Sequence, residues 1–297
     1  MSRAVAVLAL GLGGTAPPSA RAQVMTSPQL LADLTLNRLY LWRGTPRIEG
    51  WTAYPALTLA APAPGGSLSL GIWSAVELAF PEPHDFTITG SDWELAETDF
   101  SFQYAGRIGP IDATGGVIHY RLQNPSLLGV PGTPAVAGAP GPMFSTTELY
   151  GGITLREGPL RRIGLTPTVR FWQDVGPVSG LFADADLTVI MPLFPVDDPV
   201  GALYFTGRVA ASLGQSVEDG ATGYFERDGI AYTELQITGT STLLSRCRCL
   251  RLGASYHFLF GRDPATRFAD PRSTAADRGH WAWLDVWLTW RIPERRW

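Results

Sequence analysis

Apolar and polar side chains alternate with a period of two in run after run of this chain, and that period limits the fold more than any other feature. Successive side chains of a strand point to opposite faces, whereas a helical face recurs about every 3.6 residues. Within 67–77, Leu68, Leu70, Ile72 and Val76 share one side, and Ser67, Ser69, Gly71, Trp73 and Glu77 share the other. Thr98, Phe100, Phe102 and Tyr104 oppose Glu97, Asp99, Ser101 and Gln103 in the same way, and Leu250, Leu252, Ala254, Tyr256 and Phe258 oppose Arg251, Ser255 and His257. Placing every such run predicts twelve strands, at 30–43, 52–60, 67–77, 93–105, 111–121, 145–155, 163–174, 181–191, 202–214, 230–241, 250–260 and 281–292. Most of them reach the roughly 9–11 residues that a tilted strand needs to cross a membrane.

The connections carry independent information. Those at 44–51, 78–92, 122–144, 175–180, 215–229 and 261–280 average 14.5 residues, against 7.2 for those at 61–66, 106–110, 156–162, 192–201 and 242–249, with 175–180 as the exception to the alternation. Long and short connections in alternation are the habit of outer-membrane barrels, with short turns on the periplasmic side. An even number of strands also returns both chain ends to that side. A helical crossing has no support, because the longest charge-free stretch, Leu122 to Thr147, contains Pro125, Pro131, Pro134, Pro140 and Pro142. Only helices and closed barrels satisfy every backbone polar group in lipid. The competing fold is a secreted β-sandwich with the apolar rows turned inward. Apolar rows almost free of charge, and polar rows that mix charges with Gly71, Ala75, Gly152 and Gly253, favour an all-β, up-and-down antiparallel transmembrane barrel with a narrow wet interior.

Residues 1–22 read as a cleavable secretory signal: Arg3, an apolar stretch from Ala4 to Leu12, and a small-residue end at Ala20-Arg21-Ala22. Residues 23–297 then form one barrel domain, expected in the bacterial outer membrane. All 23 basic residues are Arg against 27 acidic ones, which provides no basic surface for a phosphate backbone and argues against nucleic acid as a partner. The last strand ends in an apolar row, Leu284, Val286, Leu288, Trp290 and Ile292, like the terminal targeting strand of outer-membrane barrels, although Pro293-Glu294-Arg295-Arg296 intervenes before Trp297.

Several short strings occur in an informative order: Trp42-Arg43-Gly44 then Pro55-Ala56, Gly71-Ile72-Trp73-Ser74, Glu97-Thr98-Asp99, Gly116-Val117-Ile118-His119-Tyr120, and Glu148-Leu149-Tyr150-Gly151-Gly152. In this order they resemble the TorF-type family of outer-membrane porins, over about the first half of the mature chain. The resemblance implies membrane location and pore function, without a substrate.

The polar rows supply the candidate functional side chains. Carboxylates are Glu77, Glu97, Asp99, Glu148, Asp174, Asp184, Asp186, Glu234 and Asp285; guanidiniums are Arg121, Arg170, Arg208, Arg251 and Arg291. A barrel interior brings them together, either as ion pairs that brace the lumen or as the lining of a wet path. The pore-lining candidates are Glu97, Asp99, Glu148, Arg170, Asp174, Arg208, Glu234, Arg251 and Asp285, and their mixed signs argue against strong ion selectivity. Trp172, Trp281, Trp283 and Trp287 fall on polar rows, with anchoring at the membrane interface preferred to stacking on sugars.

His84, His119, His257 and His280 show no metal-ligand or triad spacing, so no catalytic residue, metal or cofactor is expected. Cys247 and Cys249 are candidates for a turn-closing disulfide. The Gly/Pro-rich connection 122–144 either enters the mouth as a constriction or stays outside. The alternating charges of 261–280 suit bridging to lipopolysaccharide. The expected function is a narrow porin-like passive channel for small polar solutes, with outer-membrane lipid and lipopolysaccharide as surroundings. A closed structural or adhesive barrel is the alternative, and an outer-membrane hydrolase the third.

Overall fold

The alternating rows become the two faces of one closed wall. A computed structural model describes residues 27–78, 93–122, 144–176, 178–193, 201–215, 224–225, 227–243, 249–263 and 280–292. Its strands are β1 (Gln29–Trp42), β2 (Thr45–Ala63), β3 (Gly66–Leu78), β4 (Trp93–Ile108), β5 (Ile111–Leu122) and β6 (Phe144–Leu155). They continue as β7 (Leu165–Asp174), β8 (Gly180–Pro192), β9 (Gly201–Leu213), β10 (Gly229–Thr242), β11 (Leu250–Gly261) and β12 (His280–Ile292). Each pairs antiparallel with its sequence neighbours, and β12 pairs back onto β1, from Leu30↔Ile292 to Asn37↔Asp285. Closure leaves no unpaired edge, which is the condition for a sheet to survive in hydrocarbon. One helical turn, α1 (Pro159–Arg162), lies between β6 and β7. Among the described residues no helix is long and apolar enough to cross a membrane.

The burial pattern separates barrel from sandwich. Leu70, Phe100, Phe102, Val169, Phe171, Leu235, Ile237 and Leu284 are exposed on the outside, while Glu97, Asp99, Gln103, Glu148, Glu234, Gln236, His257 and Asp285 are buried inside. A soluble sandwich does the reverse. An outer face this apolar and continuous is the surface of a wall built to stand in lipid.

The start of β1 and the finish of β12 lie at one rim, here the terminal end. The opposite rim carries the β1–β2 turn and is the hairpin end. That turn consists of Arg43 and Gly44 at φ 51° and 80°, the pair of positive values that a type I′ hairpin requires. The expected connection at 44–51 is therefore corrected: Thr45–Gly50 continue β2, paired with Leu39–Trp42. Register shifts between Asn37 and Leu39 and between Tyr40 and Leu41 break the alternation there, because each bulge changes the phase of the rows. A methyl at Gly44 would stand 2.5 Å from Cδ1 of Tyr232. Gly44→Ala therefore combines strain at positive φ with a clash and should cost about 1–3 kcal/mol, read as an earlier heat-dependent shift in gel migration.

Candidate functional site

Midway along the lumen, a belt of alternating charge runs across six consecutive strands. Arg170 on β7 donates from Nε to Asp184 at 2.8 Å and from an Nη to Asp186 at 2.5 Å, both on β8. Arg208 on β9 donates to Glu234 on β10 at 2.9 Å, and its Nε lies 3.9 Å from Asp184. His257 on β11 places Nδ1 2.6 Å from Glu234 and Nε2 3.1 Å from Asp285 on β12. Strand register builds the belt, since Arg170↔Asp184, Asp186↔Arg208 and Arg208↔Glu234 are direct cross-strand partners. Trp283 stacks on His257 with centroids 4.5 Å apart. Both imidazole nitrogens face carboxylates, which accept but do not donate, so neither is free to activate a hydroxyl nucleophile.

The hairpin end is filled differently. Arg43 at the β1–β2 turn reaches across the lumen and pairs with Glu148 on β6. Its guanidinium lies over Trp42 at 4.4 Å and Phe182 at 4.7 Å, with Trp172 at 5.6 Å. Opposite β1 in a twelve-strand ring stands β7, so the hairpin tip spans the bore. Trp42 meets Tyr224 edge-on at 4.6 Å, and Phe182 stacks on Phe225 at 5.8 Å. These rings join Leu39, Tyr40, Tyr54, Trp73, Tyr232, Leu259 and Trp281 in a buried cluster inside the barrel.

Polar ties run through this lid: Tyr40 donates to Glu97 at 2.6 Å, Tyr120 to Glu148 at 2.8 Å, and Tyr224 and Thr146 each to Asp174 at 2.8 Å. Burial, and then the adjacent Asp174 carboxylate, push the Tyr224 phenol well above its ordinary value, which keeps it a donor.

All nine pore-lining candidates face the interior. Arg170, Arg208, Glu234 and Asp285 meet in the belt, while Glu148 and Asp174 anchor the lid. Glu97 and the buried Asp99 follow one another on the inner row of β4, and Arg251 stands apart near the terminal end of β11. Two expectations are corrected. Arg121 is exposed on the outside, because Ile118 and Tyr120 take the inner positions of β5. Trp281 and Trp287 are buried inside, and Trp172 and Trp283 pack against the interior cluster, so these four indoles fill the lumen rather than anchor it; Trp290 is the exposed outward ring on β12.

Arg43 escaped selection, although Arg43-Gly44 between two apolar runs is itself a turn signal. Cys247, most of 122–144 and most of 261–280 lie outside the described residues. Among the described residues no group of His, Cys, Asp or Glu could hold a metal ion.

No protein-family profile and no curated protein matches the chain. Among solved structures, an outer-membrane channel from Pseudomonas putida F1 is similar over 92% of this chain and 99% of its own, with 9% identity and a TM-score of 0.52. The CymD monoaromatic hydrocarbon channel is similar over 91% of this chain and 90% of its own, at 10% identity and a TM-score of 0.43. CdiB from Acinetobacter baumannii is similar over 91% and 61%, at 9% identity and a TM-score of 0.43. The first of these likenesses shows a shared barrel fold.

Proposed function

We propose that this barrel is a narrow passive channel for small polar solutes in a bacterial outer membrane. The observation that supports it most is the belt of alternating charge from Arg170 to Asp285, held on the inner face of a wall whose outer face is apolar. A belt of fixed charges offers partners to a passing polar solute at every step, and it favours neither sign strongly. The same proposal includes export through a signal at 1–22, membership of the TorF-type family, a bridge between Cys247 and Cys249, and lipopolysaccharide around the loops. No step of it is catalytic.

A closed structural barrel is the second reading, supported by the aromatic lid at the hairpin end. Planar-bilayer recording of the detergent-purified chain separates them, once the gel-migration difference between heated and unheated samples has shown a folded barrel. Discrete conductance steps, with step size or reversal potential altered in Arg170→Gln and Glu148→Gln, are the expected result. A folded barrel that stays silent at all voltages would overturn the channel and favour the closed reading, and recovery in a detergent-free periplasmic fraction would overturn both.

A further inference from the structure

The belt uses its charges against one another, but the inner wall of β11 and β12 near the terminal end holds two guanidiniums without a carboxylate. Arg251 stands opposite Thr289, and Arg291 follows two residues later on the same inner row. The backbone N–H of Arg291 donates to the Cys249 carbonyl at 2.8 Å, so the two strands stay zipped here. The register makes them diagonal neighbours on one face of the β11–β12 pair, a placement in which like charges repel. Neither forms an ion pair among the described residues: the belt carboxylates lie further along the wall with Arg170, Arg208 and His257, and Asp33 of β1, diagonal to Arg291, accepts from Thr289.

A third donor stands on the same stretch of wall. The Trp287 indole lies over Gly253, where a Cβ would come within 2.0 Å of Cζ2 and 2.1 Å of Cε2. Only a glycine leaves room for the ring. Its Nε1 is bonded to that same Cε2, and this buried N–H has no acceptor among the described residues. Gly253 is two residues from Arg251 on the same inner row, and Thr240 and Thr242 of β10 stand opposite Gly253 and Arg251. Two like charges and a bare buried donor, on one patch of wall, are all relieved by a single group that accepts hydrogen bonds and carries negative charge.

We propose that Arg251, Arg291 and the Trp287 indole N–H form a subsite for a small oxyanion, a carboxylate or a phosphate, on the luminal wall near the terminal end. The ligand is a dissolved solute rather than a lipid headgroup, because all three residues lie on inner rows. The inference deepens the channel reading, on which the entry of the anion through the lumen rests, but binding can be measured without conduction.

The test is binding of inorganic phosphate to the full chain in non-ionic detergent, followed by phosphorus NMR line broadening, with the heat-dependent gel shift confirming that each variant folds. Wild type should bind, Arg251→Gln/Arg291→Gln should bind roughly tenfold or more weakly, and Arg38→Gln, which alters an outward-facing arginine, should bind as wild type does. Absence of binding by wild type, or equal binding by the double variant, overturns the subsite. Displacement of phosphate by phosphatidylglycerol added to the same micelles assigns the donors to a headgroup and overturns the solute. In bilayers the double variant should shift the reversal potential toward cations. A silent barrel that still binds phosphate refutes the pore and keeps the subsite, whereas a conducting barrel that binds none does the opposite.

Discussion

Replacing Arg208 by Met is expected to destabilise the barrel by about 3–5 kcal/mol, the range for removing one partner of a buried ion pair. The Arg208 side chain is 10% exposed and sits between Glu234 at 2.9 Å and Asp184 at 3.9 Å, with Asp186 opposite it in register. Without it, three carboxylates on β8 and β10 retain only Arg170 and His257 as cationic partners. Met fills a similar length, so the cost measures lost charge more than lost packing. The readout is the temperature at which the folded band on an unheated gel gives way to the unfolded one. Arg208→Met/Glu234→Met should recover part of the loss, because removing both charges leaves fewer buried carboxylates unpaired. An unchanged midpoint in the single variant would show that the belt does not brace the wall.

That belt was legible as a set of residues but not as a network. Alternation places Arg170, Asp184, Asp186, Arg208 and Glu234 on inner rows, because the face of a strand residue is fixed by parity alone. Which of them touch depends on the register between neighbouring strands, which parity does not fix. The strand count and most strand limits follow from parity in the same way. Parity failed where bulges intervene, at Asn37/Leu39 and Tyr40/Leu41, and this hid the start of β2 and with it the hairpin tip. The tryptophans show a different limit: their row was correct, but an indole suits a membrane interface and a packed lumen equally well. Only the neighbours decide, such as His257 beneath Trp283 and Gly253 beneath Trp287. Arg43 had no parity to betray it, since a turn residue belongs to neither row and its reach to Glu148 exists only in the closed ring.

Trp42→Ala/Arg43→Ala should convert that reach into a measurable opening. Arg43 ties the hairpin tip to Glu148 and lies over Phe182, and Trp42 packs against Tyr224 and, at 6.3 Å, Tyr120. Removing both takes away the cross-lumen ion pair and the largest ring of the tip, while the β1–β2 pairing along Gln29 to Asn37 is untouched. Loss of the Trp side chain from its packed site should itself cost about 3–5 kcal/mol, so the barrel should unfold at a lower temperature yet still migrate as a folded species before heating. Unit conductance should rise, because the bore at the hairpin end loses the groups that cross it and the belt becomes the narrowest level. Arg43→Lys separates the contributions: it keeps the charge opposite Glu148 but loses the planar contact with Phe182, and its conductance should fall between wild type and the double variant. If a folded double variant conducts as wild type does, the hairpin tip is not the constriction and the belt alone sets the flow. If Arg43→Lys already matches the double variant, the planar stacking of the guanidinium, rather than its charge, holds the tip across the lumen.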